Sequence, residues 1–308
     1  MSRSTRLWFA PLVGVLLVLA SISSVQLGAA IGKTIFDQIS PAGLTAVRLV
    51  VAAAILLAIA RPAPRGWSRS TVLHVVAFGV ALGSMNLLYY ASLERIPLSV
   101  AVTLELIGPL TVALVHSRRP LDVAWVLCAA GGIAIILAQG LQGSLDLVGC
   151  ALALAAGACW GAYIVLAQRV GARVPGLGGL AAAMVVGAAV ALPFGALPAV
   201  AAIVASPTVL WPAALVALLS SVLAYGLEML ALRRITAHAF GVFMALEPAA
   251  AALFGFLLLA EALTGLDAVA VVLVVIASGG VALTTTRSRR RQPTTAPTEL
   301  PESLPPIP

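Results

Sequence analysis

Residues 98–116 read LSVAVTLELIGPLTVALVH. The run is about as long as the roughly 20 helical residues that cross a bilayer's hydrocarbon. It carries one carboxylate, Glu105, and a Gly-Pro interruption at Gly108 and Pro109. A second such stretch, AHAFGVFMALEPAAAALFGFLLL, fills 237–259, and there Glu247 and Pro248 stand where Gly108 and Pro109 stood. Two acidic, interrupted apolar helices are therefore the features around which the rest of the chain is read.

Of the 308 residues, 61% are hydrophobic and only 9% are charged. A soluble domain carries about 25% charged residues, so this composition indicates an all-α polytopic membrane protein whose main partner is the lipid bilayer. The net charge of +7 does not indicate nucleic acid, because the basic residues are scattered through short loops instead of lining one face. Cys128, Cys150 and Cys159 are odd in number and lack metal-ligand spacing, so they read as packing residues, and no metal or cofactor is expected.

Ten apolar segments can be marked, at about 10–32, 42–60, 72–92, 98–116, 121–138, 147–167, 177–197, 209–231, 238–259 and 266–284. With ten spans, Arg3, Arg6, Arg61, Arg65, Arg69, Arg118, Arg119, Arg169, Arg173, Arg233, Arg234, Arg287, Arg289, Arg290 and Arg291 all fall on one side. The opposite loops hold only Lys33 and Arg95. Such a bias marks the cytoplasmic side, which places both termini of this multi-pass protein in the cytoplasm.

The chain also repeats. Leu12-Val13-Gly14 returns as Leu147-Val148-Gly149, and Arg95-Ile96 followed by Pro109 returns as Arg234-Ile235 followed by Pro248. A five-span unit is odd, so its second copy enters the membrane inverted. The expected organisation is a first repeat over 1–140, a second over 141–286, and a Thr/Pro-rich cytoplasmic tail over 287–308 that is disordered. Inverted repeats with broken helices at mid-membrane are a transporter pattern, with the substrate bound between the repeats.

Ionisable residues inside a membrane cost roughly 2.5–3.5 kcal/mol each on insertion scales, so Arg48, Glu105, Glu228 and Glu247 are candidates for function. Arg48 and Glu105 each lie about 10 Å deep from the outer side, at 1.5 Å of rise per residue. They read as a pair or a shared anion site, against the plainer reading that each packs separately. Glu247 precedes Pro248, which lacks a backbone donor and frees a carbonyl one turn earlier; this suits a substrate or proton site, the plainer reading being a helix contact. Glu228 sits near Arg233 and Arg234, where an interfacial position is equally plausible. Gln26, Asn86, Tyr89, Tyr90, Trp160 and Tyr163 complete the candidate cavity, with core packing as the competing reading for each aromatic. His74, His116 and His238 read as interfacial. The pairs Gly28/Gly32, Gly79/Gly83 and Gly157/Gly161 suggest close packing among spans one, three and six.

At these residues the chain resembles the EamA-type ten-helix exporters of the drug/metabolite transporter superfamily. The matching stretches are GLTAVRL at 43–49, GVALGSMNLLYYASLERIPLSVAVTLELIGPLTVAL at 79–114 and SRRPLDVAWV at 117–126. They continue with GCALALAAGACWGAYIVLAQRVGA at 149–172, LEMLALRRI at 227–235 and FGVFMALEPAAAALFGFLLLAEALT at 240–264. The resemblance implies export of small amino acids, such as threonine or homoserine, with proton antiport and alternating access. A zwitterion's carboxylate would then meet Arg48, and its amino group Glu105 or a tyrosine hydroxyl. A homodimer is compatible with such a chain. The alternatives are export of drugs or other metabolites and, from another class, a membrane scaffold. No HExxH or GxSxG motif suggests an enzyme.

Overall fold

The computed structural model describes residues 3–62, 66–115, 120–142, 145–174, 176–232, 234 and 243–291. Arg65, His116, Arg118, Arg119, Arg233, His238 and the tail from 292 onward lie outside them.

Among the described residues the chain is helical throughout. The helices are α1 (Arg3–Thr34), α2 (Pro41–Ala60), α3 (Arg69–Leu93), α4 (Leu98–Glu105), α5 (Ile107–Val115), α6 (Pro120–Leu141) and α7 (Leu147–Gly171). They continue with α8 (Gly178–Ala205), α9 (Leu210–Ala217), a π-helical stretch (Leu218–Leu223), α10 (Ala224–Leu232), α11 (Glu247–Leu259) and α12 (Gly265–Arg291). Among the described residues six helical runs are long and apolar enough to cross a membrane, and four shorter apolar helices accompany them. In the apolar runs the side chains turned outward are themselves apolar: Leu197 is 83% exposed and Trp211 82%. Such exposure is costly in water and costs nothing against lipid tails.

The turns explain where helices start. Ser40 caps α2, its hydroxyl accepting from the Gly43 N–H at 3.2 Å, with Pro41 at the first helical position, where a missing N–H is harmless. Asp146 caps α7, accepting from the N–H groups of Val148 at 2.7 Å and Gly149 at 3.1 Å.

Helix α8 runs to Ala205, well past the expected end at 197, and carries Pro193 and Pro198 within it. It packs along α2, and a Cβ on Gly195 would strike the Ala42 carbonyl. The stretch 198–205, outside the expected spans, is helical. Helix α12 likewise continues to Arg291, so the basic RSRRR run extends a helix instead of opening the disordered tail. The first proline after that run is Pro293.

The remaining packing joins α3 to α7 and α8, α6 to α12, α1 to α10 and α11, α2 to α9, and α4 to both α7 and α11. Small residues make these approaches possible, since association in lipid rests on packing instead of apolar burial. The glycine pairs do not all face one another, however. Gly79 and Gly83 face the backbone of Ala183 and Gly187 in α8, Gly157 and Gly161 face Glu105 and Gly108, and Gly28 faces Ser220. Each pair thus marks a close helix contact: Gly32 meets Leu44 of α2 and Tyr90 of α3, and spans three and six pack along each other as α3 and α7.

Candidate substrate site

The two interrupted helices break before their prolines. In the first, α4 ends at Glu105, Leu106 forms a turn, and α5 starts at Ile107. Gly108 and Pro109 therefore lie inside α5, not at the break as expected. Pro109 has no N–H to give the carbonyl four residues back, and that carbonyl belongs to Glu105. In the second, Ala245 and Leu246 form the turn, and Glu247 and Pro248 open α11. The first break is pressed against α7. A Cβ on Gly108 would collide with the Gly157 backbone, and one on Gly157 would meet the Glu105 carbonyl.

Arg48 is 6% exposed on α2. Its Nε donates to Ser221 Oγ at 3.1 Å and its Nη2 to the Ser220 carbonyl at 3.3 Å. The guanidinium carbon lies 5.2 Å from the centre of the Tyr90 ring. No ion pair joins Arg48 to any carboxylate among the described residues, so the direct Arg48–Glu105 bridge anticipated from sequence is replaced by the two serines. Glu105 nevertheless lies close enough for Arg48 to act on it electrostatically.

Glu105 and Glu247 are both buried and act on each other electrostatically. Neither has a hydrogen-bond partner among the described residues. Tyr89 lies within the same electrostatic range of Arg48, Tyr90, Glu105 and Glu247. Glu228, for which function and an interfacial position were both open, also acts on Glu247, and accepts from Ser21 Oγ at 3.3 Å.

The polar candidates divide. Tyr90 is fully buried, flanked edge-on by Phe36 and Tyr89, and among the described residues its hydroxyl has no hydrogen-bond partner. Gln26 is buried and its Oε1 likewise has none. Asn86, one turn before Tyr90, turns its amide back to the Leu82 carbonyl at 2.8 Å. Tyr163 packs on Phe78 with ring centres 4.9 Å apart, in an apolar cluster with Val170 and Leu180. Trp160 is half-buried on α7 between Gly157 and Gly161. An apolar cleft of about 510 Å³ starts at Ile107 and Gly108 and runs between α5 and α7 to Arg169.

Sequence reading missed Ser220 and Ser221, whose only signal was a Ser-Ser pair in an apolar run. The structure also gives Glu261 a partner, its carboxylate pairing with Lys33 at 2.6 Å. Among the described residues no cluster of His, Cys, Asp and Glu is arranged to hold a metal.

A model of the EamA-like transporter family matches residues 147–283. The chain is also 41% identical over 280 residues to the threonine/homoserine exporter RhtA of Salmonella typhimurium strain LT2, covering 89% of this chain and 92% of that protein. The chain belongs to the EamA-like transporter family. RhtA of Escherichia coli K12 is equally similar, 41% identical over 277 residues, covering 88% of this chain and 91% of its own. A solved structure titled only as a crystal structure of a protein aligns with 92% of this chain and 98% of its own, with a TM-score of 0.53 at 24% identity. That likeness concerns the fold alone. As an EamA-type exporter the chain is a multi-pass membrane transporter.

Proposed function

We propose that this protein exports small amino acids such as threonine or homoserine across the bacterial inner membrane, by proton antiport with alternating access. The observation that carries the reading is Arg48: a buried cation with no carboxylate bonded to it among the described residues. Only two of its five N–H donors are engaged there. Burying an unpaired charge is expensive, and a substrate carboxylate is the natural complement. Glu105 and Glu247 would take the ammonium group or a proton in turn. The relatives named as threonine/homoserine exporters support this substrate class over drugs.

Ten spans in two inverted repeats, 1–140 and 141–286, with both termini cytoplasmic, form part of the proposal, the tail following the last helix, which ends at Arg291. The helix pairings support it. Exchanging spans one to five for six to ten turns the α1–α10 contact into α7–α3. It also turns α1–α11 into α7–α4 and α2–α9 into α8–α3, while α2–α8, α4–α11 and α6–α12 map onto themselves. The cleft toward Arg169, together with the Lys33–Glu261 pair at the other end of the spans, supports a cycle with an inner and an outer gate.

Purified protein reconstituted in vesicles and loaded with labelled threonine or homoserine tests the reading. Protein-dependent efflux that excess unlabelled substrate competes away and that an imposed pH gradient accelerates is expected. No efflux of either amino acid above protein-free vesicles contradicts it.

A further inference from the structure

The π-helical stretch Leu218–Leu223 is where three helices meet. Its wider winding loosens the regular ladder, and such bulges recur at functional sites. Donors from two other helices take up carbonyls in or beside it. Ser24 Oγ of α1 donates to the Leu219 carbonyl at 2.8 Å, Ser21 Oγ of α1 to the Ala224 carbonyl at 3.1 Å, and Arg48 Nη2 of α2 to the Ser220 carbonyl at 3.3 Å. Ser221, 1% exposed, adds its hydroxyl as the acceptor for Arg48 Nε.

We propose that Ser221 and the Ser220 carbonyl are the positioning elements that aim the Arg48 guanidinium at the substrate carboxylate. The inference rests on the reading of Arg48 given above and extends it to residues of the second half of the chain.

The geometry carries the argument. A guanidinium is planar, so anchoring Nε and one Nη2 hydrogen fixes its plane. The Tyr90 ring at 5.2 Å closes one side. The two Nη1 hydrogens and the second Nη2 hydrogen are left without partners among the described residues, along the outer part of the fork that binds carboxylates. Both anchors are neutral, so Arg48 keeps its full charge for the ligand. A carboxylate at the position of Ser221 would hold the guanidinium equally well but would neutralise it.

The test compares Ser221→Ala, Ser221→Thr and Arg48→Gln with the parent protein in vesicles, following labelled threonine efflux at varied internal concentration. Threonine methyl ester, which lacks the carboxylate, serves as a second competitor. For Ser221→Ala the half-saturating threonine concentration is expected to rise about tenfold, the scale of one hydrogen bond to a charged group. The maximal rate and competition by the ester should stay near those of the parent. Ser221→Thr, which keeps the hydroxyl, should restore the parent half-saturation. Should the alanine variant not purify as a monodisperse protein, Ser221→Cys replaces it with an intermediate rise expected. Parent-like half-saturation in the alanine variant, with Arg48→Gln inactive, overturns the proposal alone. Equal weakening of threonine and ester overturns it too, by making Ser221 a packing residue. Parent-like efflux by Arg48→Gln overturns the reading of Arg48 itself.

Discussion

Lys33 and Glu261, 228 residues apart in the chain, form an ion pair of 2.6 Å that is only about one-fifth exposed on either side. Lys33 Nζ also donates to the Ile96 carbonyl at 2.7 Å, and Glu261 Oε2 accepts from the Leu98 N–H at 2.8 Å. One carboxylate thus holds the end of α1 and caps the start of α4, the helix that leads to Glu105. The left-handed turn at Ala260, with φ of 52°, brings Glu261 back from the end of α11 to do so.

This pair should contribute measurable coupling. Lys33→Met and Glu261→Gln are each expected to lower the melting temperature in detergent. A double-mutant cycle should return about 1 kcal/mol, at the upper end for partly exposed pairs. Molar salt should shrink that coupling by screening. Strict additivity of the two variants at low salt would show that the pair is incidental.

Close packing at the first break should be intolerant of a single methyl. A Cβ on Gly157 would stand 2.5 Å from the Glu105 carbonyl oxygen, whereas one on Gly171 meets nothing within 4 Å. Gly157→Ala should cost about 1–3 kcal/mol of stability, as overpacking does, and reduce export. Gly171→Ala should match the parent in both thermal unfolding and flux.

Asp146, in the loop before α7, carries a pH prediction. Its hydrogen bond from Arg95 at 2.9 Å, and then those from the Gly149 and Val148 N–H groups, hold its carboxyl below the ordinary range. A carboxyl depressed by folding adds stability that is fully present above its unfolded value, about 3.9. That stability is lost as pH falls through the folded value. The melting-temperature gap between the parent and Asp146→Asn should therefore be constant from neutral pH down to about 4 and close at lower pH. A gap that widens on acidification would contradict the assignment.

Much of this was legible in the residues. Glu105, Glu247 and Arg48 stood out because a charge in an apolar run has few cheap explanations, and the two prolines marked the interrupted helices. The exact break at Leu106 was less visible, because proline acts on the carbonyl four residues back. Ser220 and Ser221 were hidden for a different reason. A serine costs little in a membrane helix, and only the arrival of Arg48 from α2 gives this pair a task. Glu228 was left between function and the interface by its neighbours Arg233 and Arg234, while its partner Ser21 lies on another helix. The meeting of Lys33 with Glu261 depends on tertiary folding that no local pattern encodes.

The central claim is that Glu105 and Glu247 share one site and couple substrate movement to protons. Labelled threonine efflux from reconstituted vesicles, with and without an imposed pH gradient, tests it most directly in Glu105→Gln and Glu247→Gln. The account predicts that both variants lose the acceleration by the gradient, whereas the parent keeps it. Parent-like acceleration in both variants would contradict it.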